Sequence, residues 1–271
     1  MAFNQTFKRI LTLASSSIAM YSVFVVGTAG CGKSLLTKSL KDWFVMKGAN
    51  VITVNLDPGA ESLPYDPDVD VRLYVDIHEL MQRYQLGPNG ALVLATDMVA
   101  TKLNELQDDV DSYRADYAIF DSPGQVELFA FRPSGQVIAK GLSSEERALL
   151  FVYDAWLCNS PENFLALSLL ASSVKLRFSI PLVSVLNKID LAKQEAEKVL
   201  SWSSEPERLL DDLSSSLKGE DHLLYTYLAD ALVKGEFIER LIPVSAATTE
   251  GIEDISGSLS MLFRGGEESF E

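Results

Sequence analysis

Residues 27–34, which read GTAGCGKS, restrict the fold of this 271-residue chain more than any other stretch. They match the pattern G-x-x-x-x-G-K-S/T, between an apolar run at Ser22–Val26 and helical spacing over Lys33–Met46. A glycine-rich turn that joins a buried strand to a helix lets backbone N–H groups surround a polyphosphate. The sequence therefore predicts a phosphate-binding loop (P-loop), whose cradle consists of Ala29, Gly30, Cys31, Gly32, Lys33, Ser34 and Leu35.

Three side chains near this loop have predicted roles in phosphate chemistry. Lys33 would neutralise the terminal phosphates, which makes it a candidate catalytic residue, and the Ser34 hydroxyl would bind Mg²⁺. Asp121 ends the predicted strand Tyr117–Asp121 and opens a D-x-x-G pattern that finishes at Gly124. Its carboxylate is therefore predicted to lie near the same metal ion, at the carboxyl end of the strand.

The residue that orients the attacking water has three candidates. Asp57 ends the predicted strand Val51–Leu56, and its carboxylate either faces the metal or the water, or caps a turn. Gln125 and Glu127 follow the D-x-x-G pattern directly, where many nucleotide hydrolases place such a group. Glu127 equally suits a structural hydrogen bond, and the sequence leaves the choice among the three open.

Residues 187–190 read NKID and follow an apolar run at Leu182–Leu186. In an N-K-x-D pattern the aspartate accepts hydrogen bonds from N1–H and the exocyclic amine of guanine, a donor pair that adenine lacks. A backbone N–H after the short strand Ile242–Val244 would meet guanine O6. The sequence thus predicts GTP or GDP as the ligand, with the base bound by Asn187, Lys188, Asp190, Ser245 and Ala246.

Strands alternate with helices along the chain, since Leu149–Tyr153 reads as a strand and both Phe164–Val174 and Ile252–Phe263 read as helices. Such alternation predicts an α/β fold of the P-loop NTPase type, with a mostly parallel sheet and helices on both faces. We expect one domain over residues 21–264, with helical insertions at about 58–110 and 191–238.

The first insertion and the two chain ends carry further predictions. Helical stretches at Ile77–Tyr84 and Ala91–Leu106 are joined by Leu86–Gly90, in which Asn89 suits a helix cap. Residues 1–20 are predicted to be a disordered tail or an over-extended start, with an export or transit peptide as the less favoured alternative. Residues 265–271 are also predicted to be disordered.

The composition excludes some partners and favours one compartment. The formal net charge of −15 disfavours binding to nucleic acid or to an anionic membrane. No apolar run is long enough to span a bilayer. The two cysteines, Cys31 and Cys158, suit a reducing compartment as free thiols, so we expect a cytoplasmic protein.

Together these motifs resemble the GPN-loop GTPases, over about residues 21–263. The Gly-Pro-Asn tripeptide that ends at Asn89, inside an insertion before the D-x-x-G pattern, is the most specific element. Small departures are Gly59 where alanine is expected and Ser34 where threonine is commoner. The resemblance rests on seven stretches in the family's order, residues 27–34, 55–67, 75–81, 86–92, 121–129, 187–190 and 243–246.

The resemblance implies a Mg²⁺-dependent GTPase that forms a homodimer. Asn89 would then reach the phosphate site of the other subunit and donate an amide hydrogen bond near the γ-phosphate, which makes it a candidate catalytic residue. Family members in eukaryotes are linked to RNA polymerase II, so a protein client such as the polymerase assembly machinery is implied. The compact chain is more similar to the archaeal, homodimeric members.

Three other functions compete with a hydrolysing switch. A nucleotide-dependent assembly chaperone or binding module would use GTP structurally, with negligible hydrolysis, and a single-turnover assay separates the two. A dimerising P-loop ATPase is disfavoured by the NKID stretch. A metal-inserting GTPase is disfavoured because the sequence has no cluster of cysteines or histidines of the metal-binding type.

Overall fold

The computed structural model describes residues 20–142, 146–216 and 220–264. The predicted tail at 1–20, apart from its last residue, and the predicted tail at 265–271 lie outside these ranges. Within them, no helix combines the length and the apolar character that are needed to cross a membrane.

Seven strands form one sheet in the order β3-β2-β4-β1-β5-β6-β7, and every pair of neighbours is parallel. The predicted sheet is therefore confirmed, with one strand more than the sequence indicated. That strand, β3, has only two residues and lies in the first insertion, where alternation cannot be detected. The strands are β1 (Tyr21–Gly27), β2 (Val51–Asn55), β3 (Val69–Asp70), β4 (Tyr117–Asp121), β5 (Arg147–Asp154), β6 (Leu182–Asn187) and β7 (Ile242–Pro243).

Helices cover both faces of the sheet, as predicted, and a 3₁₀ turn at Val71–Leu73 follows β3. The second insertion is helical, as predicted, and contributes α8 to α10. The helices are α1 (Lys33–Met46), α2 (Ile77–Tyr84), α3 (Pro88–Thr101), α4 (Leu103–Ser112), α5 (Val126–Ala130), α6 (Pro133–Gly141), α7 (Pro161–Phe178), α8 (Lys193–Ser204), α9 (Pro206–Ser216), α10 (Glu220–Lys234) and α11 (Ile252–Arg264).

The central strand β1 is apolar without alternation because the sheet buries it on both faces. Phe24 and Val26 belong to the core that the two insertions and α7 cover, and Phe24 stacks on Phe120 with ring centroids 4.5 Å apart. Val23 and Val25 point to the opposite core, beneath α1 and α11. Because both faces are buried, both sets of side chains must be apolar.

The prediction of a single helix over Ala91–Leu106 is wrong. The structure has two helices in this stretch, α3 and α4. Helix α3 starts at Pro88, since proline suits the first helical position, and it ends at Thr101. The Thr101 hydroxyl donates to Met98 O (2.6 Å), and Lys102 N donates to Val99 O (3.0 Å) in a tighter turn. The interruption comes from local hydrogen bonds of this kind, which hydrophobic spacing does not reveal.

Candidate functional site

The loop after β1 depends on glycines at two points. A Cβ on Gly27 would lie 2.6 Å from Val152 O, and a Cβ on Gly32 would lie 2.5 Å from Asn187 Nδ2. Gly32 also has a φ of +94°, in the left-handed region, at the residue before α1. The loop therefore packs so closely against β5 and β6 that a residue with a Cβ would clash at either position.

Lys33 lies at the bottom of this loop and is only 6% exposed. Its Nζ donates to Gly27 O (3.1 Å) and Thr28 O (3.0 Å), and more weakly to Gly124 O (3.4 Å). The ammonium group thus joins the loop to the segment that follows β4. It is held where a phosphate bound by the loop N–H groups would neutralise it.

A cavity of about 290 Å³, called the phosphate cavity below, opens above the P-loop. Gly30, Gly32, Lys33 and Ser34 line one wall, as the P-loop prediction requires, whereas Ala29 does not line it. The opposite walls come from the segments that follow β2 and β4. These walls consist of Asp57, Ala60, Ser62, Leu63, Ser122 and Gly124.

Asp121 and Ser34 are the oxygen donors that suit Mg²⁺. Burial raises the pKa of Asp121 to about 6, against the nearby Ser34 hydroxyl and the hydrogen bond from Tyr65, which lower it. Tyr65 Oη donates to Asp121 Oδ2 (3.0 Å), whereas Oδ1 is buried without a hydrogen bond. An orphaned carboxylate oxygen beside a hydroxyl fits a hard cation.

The described residues contain no group of three or more metal-binding acidic, histidine or cysteine side chains. A protein cage for a metal ion is therefore missing from this part of the chain. Mg²⁺ is commonly bound by one or two protein oxygens together with substrate phosphates. Ser34 and Asp121 fit that arrangement and would hold the ion, which supplies charge neutralisation for the phosphates when bound.

Asp57 caps a turn and also contacts the D-x-x-G segment. Its Oδ1 accepts from Gly59 N (2.9 Å), and its Oδ2 accepts from Gly124 N (3.0 Å). Asn55 Nδ2 donates to the Asp57 carbonyl (3.2 Å) and to Asp70 Oδ1 (2.9 Å). The Asp57 carboxylate therefore caps its turn and also lines the phosphate cavity, and its role toward metal or water stays a prediction.

A second cavity, of about 130 Å³, lies beside the first and is called the base cavity below. Gly32 lines both, so the two cavities meet at the P-loop. Asp190 lines the base cavity, and its carboxylate has no hydrogen-bond partner among the described residues. The other lining residues are Leu35, Asn187, Lys188, Leu191, Ala246 and Ala247.

Asn187 is buried and joins three loops. Its Nδ2 donates to Cys31 O (2.9 Å) in the P-loop, and its Oδ1 accepts from Ala246 N (3.0 Å). The carboxamide thus fixes the distance between the P-loop and the turn after β7. Its polar atoms bond protein groups, so we assign Asn187 to positioning the base cavity's walls.

The predicted donor to the base, a backbone N–H of Ser245 or Ala246, stays a prediction, and in this structure both amides bond protein groups. Ser245 N donates to Glu250 O (3.0 Å), and Ala246 N is bonded to Asn187. Ala247 follows in the same turn, lines the base cavity and makes no backbone hydrogen bond with any described residue. Its N–H is therefore the donor available to a base. A sequence pattern does not distinguish among successive amides of one turn.

Lys188 and Asp154 form an ion pair at the P-loop. Lys188 Nζ lies 2.7 Å from Asp154 Oδ2 and donates to Gly30 O (2.6 Å). Lys188 has a φ of +67°, and this left-handed turn separates Asn187 from Asp190. The side chain therefore runs along the boundary between the base cavity and the P-loop, with its charge neutralised by Asp154.

Comparison with known proteins identifies the fold and the family. A family model described as "Conserved hypothetical ATP binding protein" matches residues 25–264. GPN-loop GTPase 1 of Dictyostelium discoideum is 30% identical over 86% of this chain, which spans 59% of that relative's length. GPN-loop GTPase 3 of Eremothecium gossypii is 29% identical over 90% of this chain and 92% of its own.

A crystal structure of a GTPase from Pyrococcus abyssi, in its apo form, superposes with a TM-score of 0.80 at 28% identity. The alignment covers 90% of this chain and 98% of the archaeal one. This chain belongs to the GPN-loop GTPase family. The predicted resemblance and the P-loop NTPase fold are confirmed.

The Gly-Pro-Asn element of this family member lies in the first turn of α3. Asn89 is exposed, makes no hydrogen bond to a described residue and does not line its own phosphate cavity. A Cβ on Gly59 would lie 2.8 Å from Leu92 Cδ1, so the first turns of α3 contact the segment after β2. Asn89 thus lies in the first turn of α3 and faces solvent.

Gln125 and Glu127 lie beside the phosphate cavity but do not line it. Gln125 is the residue before α5, and Glu127 in the first turn of α5 is exposed. Of the three candidates for orienting water, only Asp57 lines the cavity. The choice among them stays a prediction.

Sequence reasoning missed three residues that the structure brings to the site, namely Tyr65, Asp154 and Ala247. Asp154 carried a usable signal, since it ends a buried strand, as Asp121 does. Tyr65 carried none, because it lies in a segment without secondary structure and reaches Asp121 only through the fold. Ala247 has no functional group beyond its backbone.

A larger cavity, of about 880 Å³, is not part of this site. It lies at the amino end of β6 and β7, against α8 and α11, and shares no lining residue with the phosphate and base cavities. Volume alone therefore does not identify the site. The convergence of loop amides, Lys33 and carboxylates does.

Proposed function

We propose that this chain binds GTP with Mg²⁺ and hydrolyses it to GDP and phosphate, as a dimeric molecular switch. One observation carries the proposal: the phosphate cavity and the base cavity meet at Gly32, with Lys33 in one and the unpaired carboxylate of Asp190 in the other. A nucleoside triphosphate has this combination of charged chain and planar base.

Guanine is favoured over adenine because of the chemistry of the base cavity. A carboxylate without a protein partner requires two donors from its ligand, and guanine supplies them through N1–H and its amine. The Ala247 N–H complements the guanine O6 acceptor. The description of the family as ATP-binding is set aside on these grounds, since adenine would place its own donor against that N–H and leave Asp190 unpaired.

Hydrolysis is supported by the contents of the phosphate cavity. Lys33 would neutralise the terminal phosphates, and Asp57 lines the space in which a water would attack. Ser34 in the cavity wall and Asp121, which is buried and does not itself line the cavity, suit Mg²⁺. Water is oriented by Asp57, Gln125 or Glu127, of which Asp57 is favoured by position. The competing function, a binding module with negligible hydrolysis, has no specific observation in its favour.

The dimer is supported by the placement of Asn89. Because Asn89 is exposed and lies outside its own phosphate cavity, it serves catalysis only by entering a second subunit. There its amide would donate a hydrogen bond to the charge that develops on the γ-phosphate. A protein client, and a cytoplasmic location, complete the proposal. The client rests on the family resemblance alone, and the location is supported by two free, buried thiols.

The base assignment is tested by Asp190→Asn with GTP and xanthosine triphosphate. The asparagine replaces one acceptor by a donor, and xanthine replaces the guanine amine by a carbonyl acceptor. We expect GTP affinity to fall by about 100-fold or more, and xanthosine triphosphate to bind the variant better than GTP does. Unchanged GTP affinity, measured by equilibrium titration, would exclude Asp190 as the base ligand.

The dimer assignment is tested by Asn89→Ala, with Gln85→Ala, at a position that is also exposed, as the control. We expect single-turnover GTP hydrolysis to fall by about 100-fold for Asn89→Ala, with nucleotide affinity and melting temperature unchanged. Mixing this variant with Lys33→Ala would restore part of the activity if Asn89 acts across the dimer, because one of the two sites then combines both native residues. Equal turnover by wild type and Asn89→Ala would favour the binding module.

A further inference from the structure

The segment between β2 and β3 forms one side of the phosphate cavity and has unequal support along its length. Its first part is held firmly: Asp57 bonds Gly124 N, and Arg72 Nη1 donates to Ala60 O (2.9 Å). Arg72 is itself fixed by Asp70 through three hydrogen bonds of 2.6 to 3.0 Å. Residues 57–60 therefore have a scaffold behind them.

The second part of the segment, residues 61–67, has one polar attachment. Among the described residues, the only hydrogen bond from this stretch is the one from Tyr65 Oη to Asp121 Oδ2, at 3.0 Å. Ser62 and Leu63 in the same stretch line the phosphate cavity. Tyr65 is therefore the group that fixes this wall of the cavity, and it does so at the carboxylate that suits the metal.

The bond also sets which oxygen of Asp121 is available. A carboxylate has two oxygens, and in this protein Asp121 Oδ2 accepts from Tyr65, whereas Asp121 Oδ1 is buried and has no hydrogen bond. A partner that engages one oxygen fixes the rotation of the carboxylate about its χ2 bond. Outer partners of this kind orient metal-binding groups in many proteins.

We propose that Tyr65 is a positioning residue for the metal–nucleotide complex: its hydroxyl holds Asp121 so that Oδ1 meets the cation beside Ser34, and it anchors residues 61–67 over the phosphates. The inference rests on the proposed function, since it assumes that Mg²⁺ enters with GTP. It assigns no contact between Tyr65 and the substrate. Tyr65 acts indirectly, by orienting the Asp121 carboxylate and by holding residues 61–67 at the cavity.

The test compares Tyr65→Phe with Tyr113→Phe. Both variants remove a single tyrosine hydroxyl from a hydrogen bond of similar length, because Tyr113 Oη donates to Asp68 O at 2.9 Å. Tyr113 is 44% exposed and outside the lining of both nucleotide cavities. Each variant keeps its aromatic ring, and melting temperatures without nucleotide would show that both are folded.

The first measurement is equilibrium binding of a fluorescent GDP and of a non-hydrolysable GTP analogue, over a Mg²⁺ titration and in EDTA. For Tyr65→Phe we expect the half-saturating Mg²⁺ concentration to rise about tenfold, with affinity in EDTA within twofold of wild type. Tyr113→Phe should match wild type in both. The second measurement is GTP turnover, in which kcat at saturating Mg²⁺ should change less than threefold.

Three results would overturn the inference, and they differ in whether the proposed function fails with it. If wild type binds the nucleotides more tightly with Mg²⁺ and Tyr65→Phe shows the same Mg²⁺ dependence, Tyr65 does not position Asp121 and the proposed function stands. If wild type shows no Mg²⁺-dependent binding at all, the metal part of the proposed function fails together with the inference. An equal loss in Mg²⁺ and in EDTA would indicate a general structural role and would also contradict it.

Discussion

The two ends of the nucleotide site are built differently. The base end is clamped by Asn187, which is buried and bonds the P-loop on one side and the turn after β7 on the other. The phosphate end is covered by residues 57–65, which reach the D-x-x-G segment through the side chains of Asp57 and Tyr65. A base cavity fixed by a buried amide is preformed, whereas residues 61–65, which are attached to the described residues by the Tyr65 hydroxyl alone among hydrogen-bonding groups, can move with the phosphates.

This difference matches what each end must do in a nucleotide switch. The base is the same in GTP and GDP, so its cavity gains from rigidity, which lowers the ordering cost of binding. The γ-phosphate is the only part that changes, and a ligand shifts a conformational equilibrium only through contacts that differ between states. The Gly124 N–H, which now bonds Asp57, is a contact of that kind.

The largest expected effect breaks the rigid end. Asn187→Ala would leave Cys31 O and Ala246 N buried and unpaired, at a cost of about 3 to 4 kcal/mol in the free energy of unfolding. We expect the melting temperature to fall by about 10 °C without nucleotide. Asn163→Ala, which loses only an exposed hydrogen bond to Asn159, is the control. A fall of less than 2 °C would show that the clamp does not hold the base end.

An intermediate effect sharpens the comparison at Asp121. Its pKa is raised in the folded chain to about 6, from an ordinary 3.8, so folding favours the neutral form. This contribution to stability is complete at low pH and is lost as pH rises through the folded pKa. The ionised group therefore costs up to about 3 kcal/mol at pH 8, and Asp121→Asn should remove that cost.

The melting temperatures of Asp121→Asn and wild type are compared at pH 5 and pH 8, in EDTA and without nucleotide. We expect the variant to gain melting temperature over wild type at pH 8 more than at pH 5. Its Mg²⁺-dependent GTP binding should be lost. Asp97→Asn is the control of opposite sign, because hydrogen bonds from Arg132 lower the pKa of Asp97. It should destabilise the chain slightly at pH 8, by less than about 1 kcal/mol, since this pair is partly exposed. Equal shifts for the two variants would contradict the burial of Asp121.

The smallest expected effect concerns Asp57, which joins the segment after β2 to Gly124. Asp57→Ala removes the bonds to Gly59 N and Gly124 N, both of which can turn to solvent, so we expect less than about 1 kcal/mol of destabilisation. Binding should change in a pattern that depends on the nucleotide. GDP affinity should stay within twofold, whereas the ratio of GTP-analogue to GDP affinity should rise because the γ-phosphate no longer displaces a carboxylate. An unchanged ratio would show that Asp57 and the γ-phosphate do not compete.

Much of the fold could be predicted because its signals are local. The bounds of α1, α2 and β4 agree with the predicted ones, since buried parallel strands and capped amphipathic helices are written within a few neighbouring residues. The interruption between α3 and α4 was missed because it depends on side-chain bonds to the backbone at Thr101. The two-residue strand β3 was missed because it is too short to show a pattern.

The sequence by itself determined which groups converge on the nucleotide, since Lys33, Ser34, Asp121 and Asp190 each follow a strand in a parallel sheet and must meet at one edge. Only the tertiary structure decided how those groups are held. Asn187 reaches Cys31 across 156 positions of the chain, and Tyr65 reaches Asp121 across 56. Such bonds depend on how separate segments pack against each other, and spacing within any single segment carries no record of them.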